Sequence, residues 1–263
     1  MKLKLVPARQ GVVWVRMGMR TFFKQPLAIS GLFFMFVAAM SVLSIVPVLG
    51  SGIALALLPA ATLGLMVAAG EANKGKFPMP VVLVSAFRAG RQQLRSMVVL
   101  GVLYALGFAL VMGLSTLVDD GQFARLYLGG QVNPEQLMQS DFEMAALTAL
   151  LLYLPLSLMF WHAPALVHWH GISPVKSLFF SLVACLRNFW AYTLFGLTWM
   201  AAFLTMGLVV AIIATVSGSP ALINALLFPL GLSMAAMFFT SIYFTFVDTF
   251  DLTPGESHDA AHP

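Results

Sequence analysis

Six stretches of the chain run for roughly twenty residues without Asp, Glu, Lys or Arg: 26–48, 52–70, 97–117, 144–167, 189–217 and 220–246. A hydrocarbon core of about 30 Å needs about 20 apolar residues of helix. Lipid also requires each backbone N–H and C=O to be satisfied within the segment. The pattern therefore predicts six transmembrane helices and an all-α, polytopic membrane helical bundle. The first stretch starts too far along the chain for a signal-peptide core, and five more follow it, so no cleavage is expected.

Polar positions between the stretches have their own period. In 10–24, Arg16, Arg20 and Lys24 recur at i, i+4, i+8, with Val15, Met19, Phe22 and Phe23 towards the other face. In 79–95, Arg88, Arg91 and Arg95 recur at i, i+3, i+7. In 173–188, Lys176 and Arg187 stand eleven apart, with Leu178, Phe179 and Leu182 between them. Each segment reads as an amphipathic interfacial helix leading into an odd-numbered span. Each even-numbered span carries an apolar-Pro pair: Leu58-Pro59, Leu154-Pro155 and Phe228-Pro229. Together these markers predict three repeated units, at about 8–70, 79–167 and 173–246. The domain reading is a leader with an amphipathic helix over 1–25, a transmembrane domain over 26–246 and an acidic tail over 247–263.

Small residues predict where helices meet. Gly52, Ala56, Ala60, Gly64 and Ala68 fall every fourth residue in the second span; Gly101, Ala105, Ala109 and Gly113 do so in the third. Such ridges let backbones approach where lipid supplies no hydrophobic drive for association. The expectation is a tight contact between spans two and three.

Composition excludes a soluble chain: 60% of the 263 residues are apolar, 9% are charged, and the mean hydropathy is +0.92. Soluble domains run near 45–50% apolar and about 25% charged. The single cysteine, Cys185, cannot close an internal disulfide. Of the 14 basic residues, all but Arg125 fall in the leader and in the two long connections on the same side. The positive-inside rule makes that side cytoplasmic, with both termini there. The net charge of +4 is thus a collar beside lipid. It is not a nucleic-acid surface, since no RNA-binding aromatic pattern or zinc knuckle accompanies it. Anionic inner-leaflet lipid is the expected partner of Arg16, Arg20, Lys24, Arg88, Arg91, Arg95, Lys176 and Arg187, at about 1 kcal/mol each. A membrane-protein partner or a second copy of the chain is a further expectation.

Candidate chemistry is sparse. The one ionisable side chain in the spans is His162, and His168 and His170 follow it in Trp161-His162-Ala163-Pro164-Ala165-Leu166-Val167-His168-Trp169-His170. Imidazoles ligate metals and titrate near neutrality. An H-x-H pair without a nearby acid or cysteine reads better as part of an aromatic belt, with Trp161 and Trp169 at headgroup depth. No metal, cofactor or catalytic residue is therefore assigned. Pro59, Pro155, Pro164 and Pro229 either bend helices or break them around a substrate. Asn224, Thr205, Thr240 and Ser241 are further polar residues of the last two spans, explained by interhelical hydrogen bonds. Asp119, Asp120, Glu135, Asp141 and Glu143 read as a solvated acidic loop without EF-hand spacing. Phosphate-binding glycine motifs are missing. The tail from Asp248 reads as a short acidic disordered end.

The opening Leu3-Lys4-Leu5-Val6-Pro7-Ala8-Arg9-Gln10-Gly11, with Trp14, resembles an uncharacterised multi-pass inner-membrane family of β-proteobacteria. Pro164-Ala165-Leu166, Gly171 to Ser177 and Arg187-Asn188-Phe189-Trp190 resemble a wider pattern. It occurs in YciC-like membrane proteins and in the membrane domain attached to some glycerophosphodiester phosphodiesterases. The resemblance implies a six-helix inner-membrane protein and carries over no catalytic residues. The leading functional expectation is a non-enzymatic lipid-organising, accessory or interaction protein. The alternative is a transporter or channel for a small or hydrophobic solute, with a site near Pro155, His162 and Asn224.

Overall fold

The computed structural model describes residues 3–46, 49–128, 130, 141–219 and 221–250, apart from the side chains of Leu222 and Asn224. Its helices are α1 (Gln10–Lys24), α2 (Pro26–Ser44), α3 (Leu49–Asn73), α4 (Ser85–Arg88), α5 (Arg91–Asp119) and α6 (Gln122–Tyr127). They continue with α7 (Phe142–Trp161), α8 (Ala163–His170), α9 (Pro174–Arg187), α10 (Phe189–Ser217) and α11 (Ala221–Thr249). Six of these runs are long and apolar enough to cross a membrane, with α7 and α8 together forming the fourth. The described residues contain no strand beyond one isolated antiparallel bridge, Leu3 to Phe250. The protein is an all-α polytopic bundle.

Helix α3 is the centre. Half of its most apolar window is buried, against 11% for α10, which mostly faces lipid. Helix α3 packs against α2, α5 and α11. Its contact with α5 is closest at Gly101, where an added Cβ would lie 2.0 Å from the Ala56 carbonyl oxygen. The expected ridge is real there and ends soon after. Gly52 and Gly113 have open space around them, and α5 uses Gly107 to receive Leu156 of α7.

The three basic segments are used alike. Helix α1 packs on α11 and α10, the segment from Pro80 to Arg88 packs on α3, and α9 packs on α7 and α8. Each lies against an even-numbered span, α11, α3 and α7 in turn. The middle segment is not the continuous amphipathic helix expected over 79–95. It is a 3-10 turn (Pro80–Val84) followed by the single turn α4. Gly90 then breaks the chain with φ +109°, a region that L side chains rarely adopt. Arg91 and Arg95 consequently belong to the first turns of α5, a transmembrane helix.

Helix α9 inverts the soluble pattern, whereas α1 keeps it in part, burying Trp14, Val15 and Phe22 beside small residues. Helix α9 buries Ser177, Ser181, Ala184 and Cys185, while Phe179 is exposed. Helix α1 buries Gly11, Trp14, Val15, Gly18, Thr21 and Phe22 and leaves Phe23 exposed. Small and polar groups face protein because lipid is an adequate solvent for the large apolar ones.

Helix α1 is held at both ends. Gln10 Nε2 and Trp14 Nε1 donate to the Asp248 carboxylate, at 2.6 and 2.8 Å. Lys24 Nζ donates to the Asn73 carbonyl at the end of α3, at 2.8 Å. Asp248 is therefore part of the bundle, in the last turn of α11, rather than the start of an acidic tail. The rest of that tail, from residue 251, lies outside the described residues.

The close approach of α1 gives a test. A Cβ at Gly11 would sit 2.1 Å from the Ala191 carbonyl oxygen, and one at Gly18 would sit 2.5 Å from Ser241 Cβ. Overpacking of this kind costs about 1–3 kcal/mol. Gly11→Ala and Gly18→Ala should each lower unfolding stability by about that amount. Gly113→Ala, with open space, should be neutral or slightly stabilising, by up to about 1 kcal/mol. Thermal unfolding in detergent checks all three, and equal effects at Gly18 and Gly113 would contradict the docking of α1.

Candidate functional site

The polar side chains of the bundle gather where the fourth span breaks. Pro164 brings no N–H to the Phe160 carbonyl, and α7 ends at Trp161 while α8 restarts at Ala163. In an unbroken helix the His162 N–H would bond to the Leu158 carbonyl. Here Ser181 of α9 stands between them. Its hydroxyl accepts from the His162 N–H at 2.9 Å and donates to the Leu158 carbonyl oxygen at 2.7 Å. Cys185, one turn along α9, points its thiol at the same carbonyl at 3.8 Å. One hydroxyl thus replaces a backbone hydrogen bond that the break removes.

Helix α11 adds a ladder at every fourth residue. Ser241 accepts from Trp199 Nε1 at 3.2 Å, and Thr245 accepts from Trp161 Nε1 at 3.0 Å. Thr249 pairs with the Tyr192 hydroxyl at 3.5 Å. That hydroxyl also meets His162 Nε2. The His162 ring is fully buried, edge-on to Phe250 and tilted against Phe246. Its Nδ1 has no hydrogen-bond partner among the described residues.

The amino-terminal strap closes this region. Asn188, between α9 and α10, accepts from the Val6 N–H at 2.8 Å and donates to the Lys4 carbonyl at 3.1 Å. Its amide thereby imitates a neighbouring strand. On the other side the Lys4 N–H donates to the Thr249 carbonyl at 2.9 Å. Both described ends of the chain therefore meet on one side of the bundle.

Several expectations change. Trp161 and Trp169, both half-buried, also carry aromatic contacts inside the bundle. Trp161 packs edge-on to Phe195 and Phe238, and Trp169 lies 5.1 Å from the Phe246 ring. His168 contacts the Trp169 ring, and His170 packs against Phe246. Among the described residues no three His, Cys, Asp or Glu side chains converge to hold a metal ion. The three points of the expected solute site stand differently. Pro155 is exposed on an uninterrupted α7, His162 is enclosed, and the Asn224 side chain lies outside the described residues. In the acidic loop, Asp119 is buried rather than solvated. It accepts from the Gly121 and Phe123 N–H groups at 3.0 and 2.6 Å, capping α6. Glu135 lies outside the described residues.

The residues not foreseen are Ser181, Asn188, Tyr192, Thr245, Thr249 and Asp248. A usable signal existed for some of them. Ser177, Ser181 and Cys185, and again Ser241, Thr245 and Thr249, recur every fourth residue. Each trio lies on one helical face among apolar neighbours.

The eight basic collar residues are all exposed. They are spread over α1, the middle segment, α5 and α9. Arg16, Arg20 and Lys24 do share a setting. They line a groove of about 530 Å³ with Val12, Val15, Met19 and Phe23 of α1 and Thr198 of α10. Lys24 is tied to Asn73, whereas Arg16 and Arg20 have no hydrogen-bond or ion-pair partner among the described residues.

These features define a polytopic helical membrane protein whose polar groups mainly hold helices together. The chain is 37% identical over 250 residues to a Burkholderia thailandensis protein described as "Probable inner membrane protein", covering 94% of this chain and 93% of that one. It belongs to that family of integral inner-membrane proteins. No family model matches the chain, and no solved structure matches it.

Two tests address the break. Ser181→Ala leaves a buried N–H and a buried C=O unsatisfied, at about 1–3 kcal/mol each. It should lower stability by about 2–4 kcal/mol. Ser233→Ala, whose exposed hydroxyl bonds only within its own helix, should change little. The readout is the rate at which maleimide reaches the Cys185 thiol. Burial also pushes that thiol up from 9.0 to about 12. A raised thiol pKa leaves its stabilising contribution intact below about pH 9 and removes it as pH climbs towards 12. Stability measured from pH 8 to 12 should therefore fall more steeply in the wild type than in Cys185→Ala.

Proposed function

We propose that this protein is a non-enzymatic organiser of anionic phospholipid at the cytoplasmic face of the inner membrane. It carries lipid headgroups on the Arg16–Arg20 groove. The observation behind this reading is that groove: two exposed guanidiniums without protein partners stand over apolar walls shared by α1 and α10. A guanidinium offers a planar fork of donors that matches phosphate oxygens. The walls suit the upper part of an acyl chain, and the neighbouring exposed Phe23 and Leu27 place α1 at the boundary between headgroups and hydrocarbon. The excess of Lys and Arg on the side of α1 and α9 supports placing that side, with both termini, in the cytoplasm. The resemblance at 164–166, 171–177 and 187–190 to YciC-like proteins and phosphodiesterase-linked membrane domains agrees with a lipid-facing role. The buried polar residues then serve rigidity, so that α1 is presented at a fixed depth.

The experiment is lipid retention by the purified chain, read by native mass spectrometry from nanodiscs containing phosphatidylglycerol and phosphatidylcholine. The wild type should retain phosphatidylglycerol preferentially. Arg16→Gln with Arg20→Gln should weaken that preference by about thirtyfold, from about 1 kcal/mol per charge. Thermal unfolding should hardly change, since both side chains are exposed. Equal retention of the two lipids by the wild type would refute the proposal.

A further inference from the structure

A second cavity lies on the opposite side of the bundle, and its chemistry differs from that of the groove. It encloses about 500 Å³ between α2, α3, α5, α6 and α7. It reaches from Ser44 and Tyr127, at the loop-side ends of α2 and α6, down to a pair of phenols, Tyr104 and Tyr153. Tyr153 is eleven residues into α7, about 16 Å along the helix. In a hydrocarbon core of about 30 Å that is mid-depth.

The two hydroxyls lie 3.1 Å apart. One O–H therefore satisfies the other oxygen, and the second O–H has no protein acceptor among the described residues. A phenol proton left over in apolar surroundings favours a ligand that brings an acceptor oxygen. Among the described residues no Lys, Arg, His, Asp or Glu lines the cavity, so a charged group held by them would lose its hydration without compensation. The Ser44 hydroxyl is already spent on the Met40 carbonyl. Phe108 lies between Tyr153 and Tyr127, with its ring 6.4 Å from the first at 86° and 6.0 Å from the second at 42°. Walls of this kind suit a flat ring in edge or offset contact. Depth decides between sources of a neutral carbonyl. The ester carbonyls of a glycerolipid lie near the boundary of the hydrocarbon, well above the tyrosine pair, whereas an uncharged ring lipid reaches the middle of the bilayer.

We infer that the Tyr104–Tyr153 cavity is a binding site for an uncharged, carbonyl-bearing ring lipid of the quinone type. The pair donates one hydrogen bond to a ring carbonyl, Phe108 and Tyr127 flank the ring, and the lipid tail extends along α2 and α3. This is a binding site only, and no electron transfer is assigned to it. It is independent of the anionic-lipid groove, which lies beside α1.

The test uses the full chain in phosphatidylcholine nanodiscs, with equilibrium binding of three probes: decylubiquinone, dodecylbenzene and dioctanoylglycerol. Decylubiquinone should bind saturably and at least tenfold more tightly than either of the others. Tyr104→Phe with Tyr153→Phe should weaken it by roughly tenfold, the loss of one hydrogen bond. Leu55→Trp, which fills the cavity from α3, should abolish binding. Protection of Cys185 from maleimide shows that each variant is folded. Arg16→Gln with Arg20→Gln should leave decylubiquinone binding unchanged, which separates this site from the groove. Equal binding of dodecylbenzene, tighter binding of dioctanoylglycerol, or full affinity in the folded double phenylalanine variant would overturn the inference.

Discussion

The hydrogen bonds through Ser181, from the His162 N–H and on to the Leu158 carbonyl, are the contact on which the arrangement of α7, α8 and α9 turns. Water would repair a broken helix at no structural cost. Inside a membrane protein the repair has to come from another part of the chain, because an unsatisfied peptide group in hydrocarbon costs several kcal/mol. The hydroxyl that repairs it belongs to α9, so the break fixes where α9 lies. With α9 placed, Asn188 at its end is placed too, and Asn188 holds the strap from Lys4 to Val6 against the end of α11.

The same constraint explains the composition of the helix faces. Three indole N–H groups find an oxygen on α11: Trp199 on Ser241, Trp161 on Thr245 and Trp14 on Asp248. These aromatic residues fill volume with their rings and fix register with one polar atom. Small residues do the complementary work by letting α1 approach α10 and α11 almost backbone to backbone at Gly11 and Gly18. The result is a half beside the two chain ends that is tied together by hydrogen bonds, and a half beside the long loop that leaves a cavity at the tyrosine pair. The first is suited to holding a surface helix at a constant depth. The second is suited to receiving something from the bilayer.

Patterning made the spans legible, since a run of twenty uncharged residues has few other uses. It was a poorer guide to which face of each interfacial helix meets protein. In α9 the apolar Leu178, Phe179 and Leu182 marked the amphipathic pattern, and the buried positions are instead Ser177, Ser181, Ala184 and Cys185. The intuition carried over from soluble helices fails because the apolar face has a second solvent available. The packing around His162 was hidden for a related reason. His162 stood out as the one ionisable group in a span, and its neighbours Trp161 and Trp169 suggested an interface. All three are packed among aromatic rings from α10 and α11, which no local pattern reveals.

The sequence alone determined six membrane-spanning segments, the side on which most basic charge lies and the absence of acidic or basic side chains, other than His162, from the spans. These follow from local length and composition acting against a fixed membrane thickness. Only the tertiary structure decided that the fourth span breaks and is mended by α9, and that Asp248 is an anchor rather than tail. The groove at Arg16 and the cavity at Tyr104 and Tyr153 were likewise decided there. Each depends on groups from distant parts of the chain meeting in space. The oxygen or small residue that completes each contact is chosen by geometry, which the periodicity of one helix does not record.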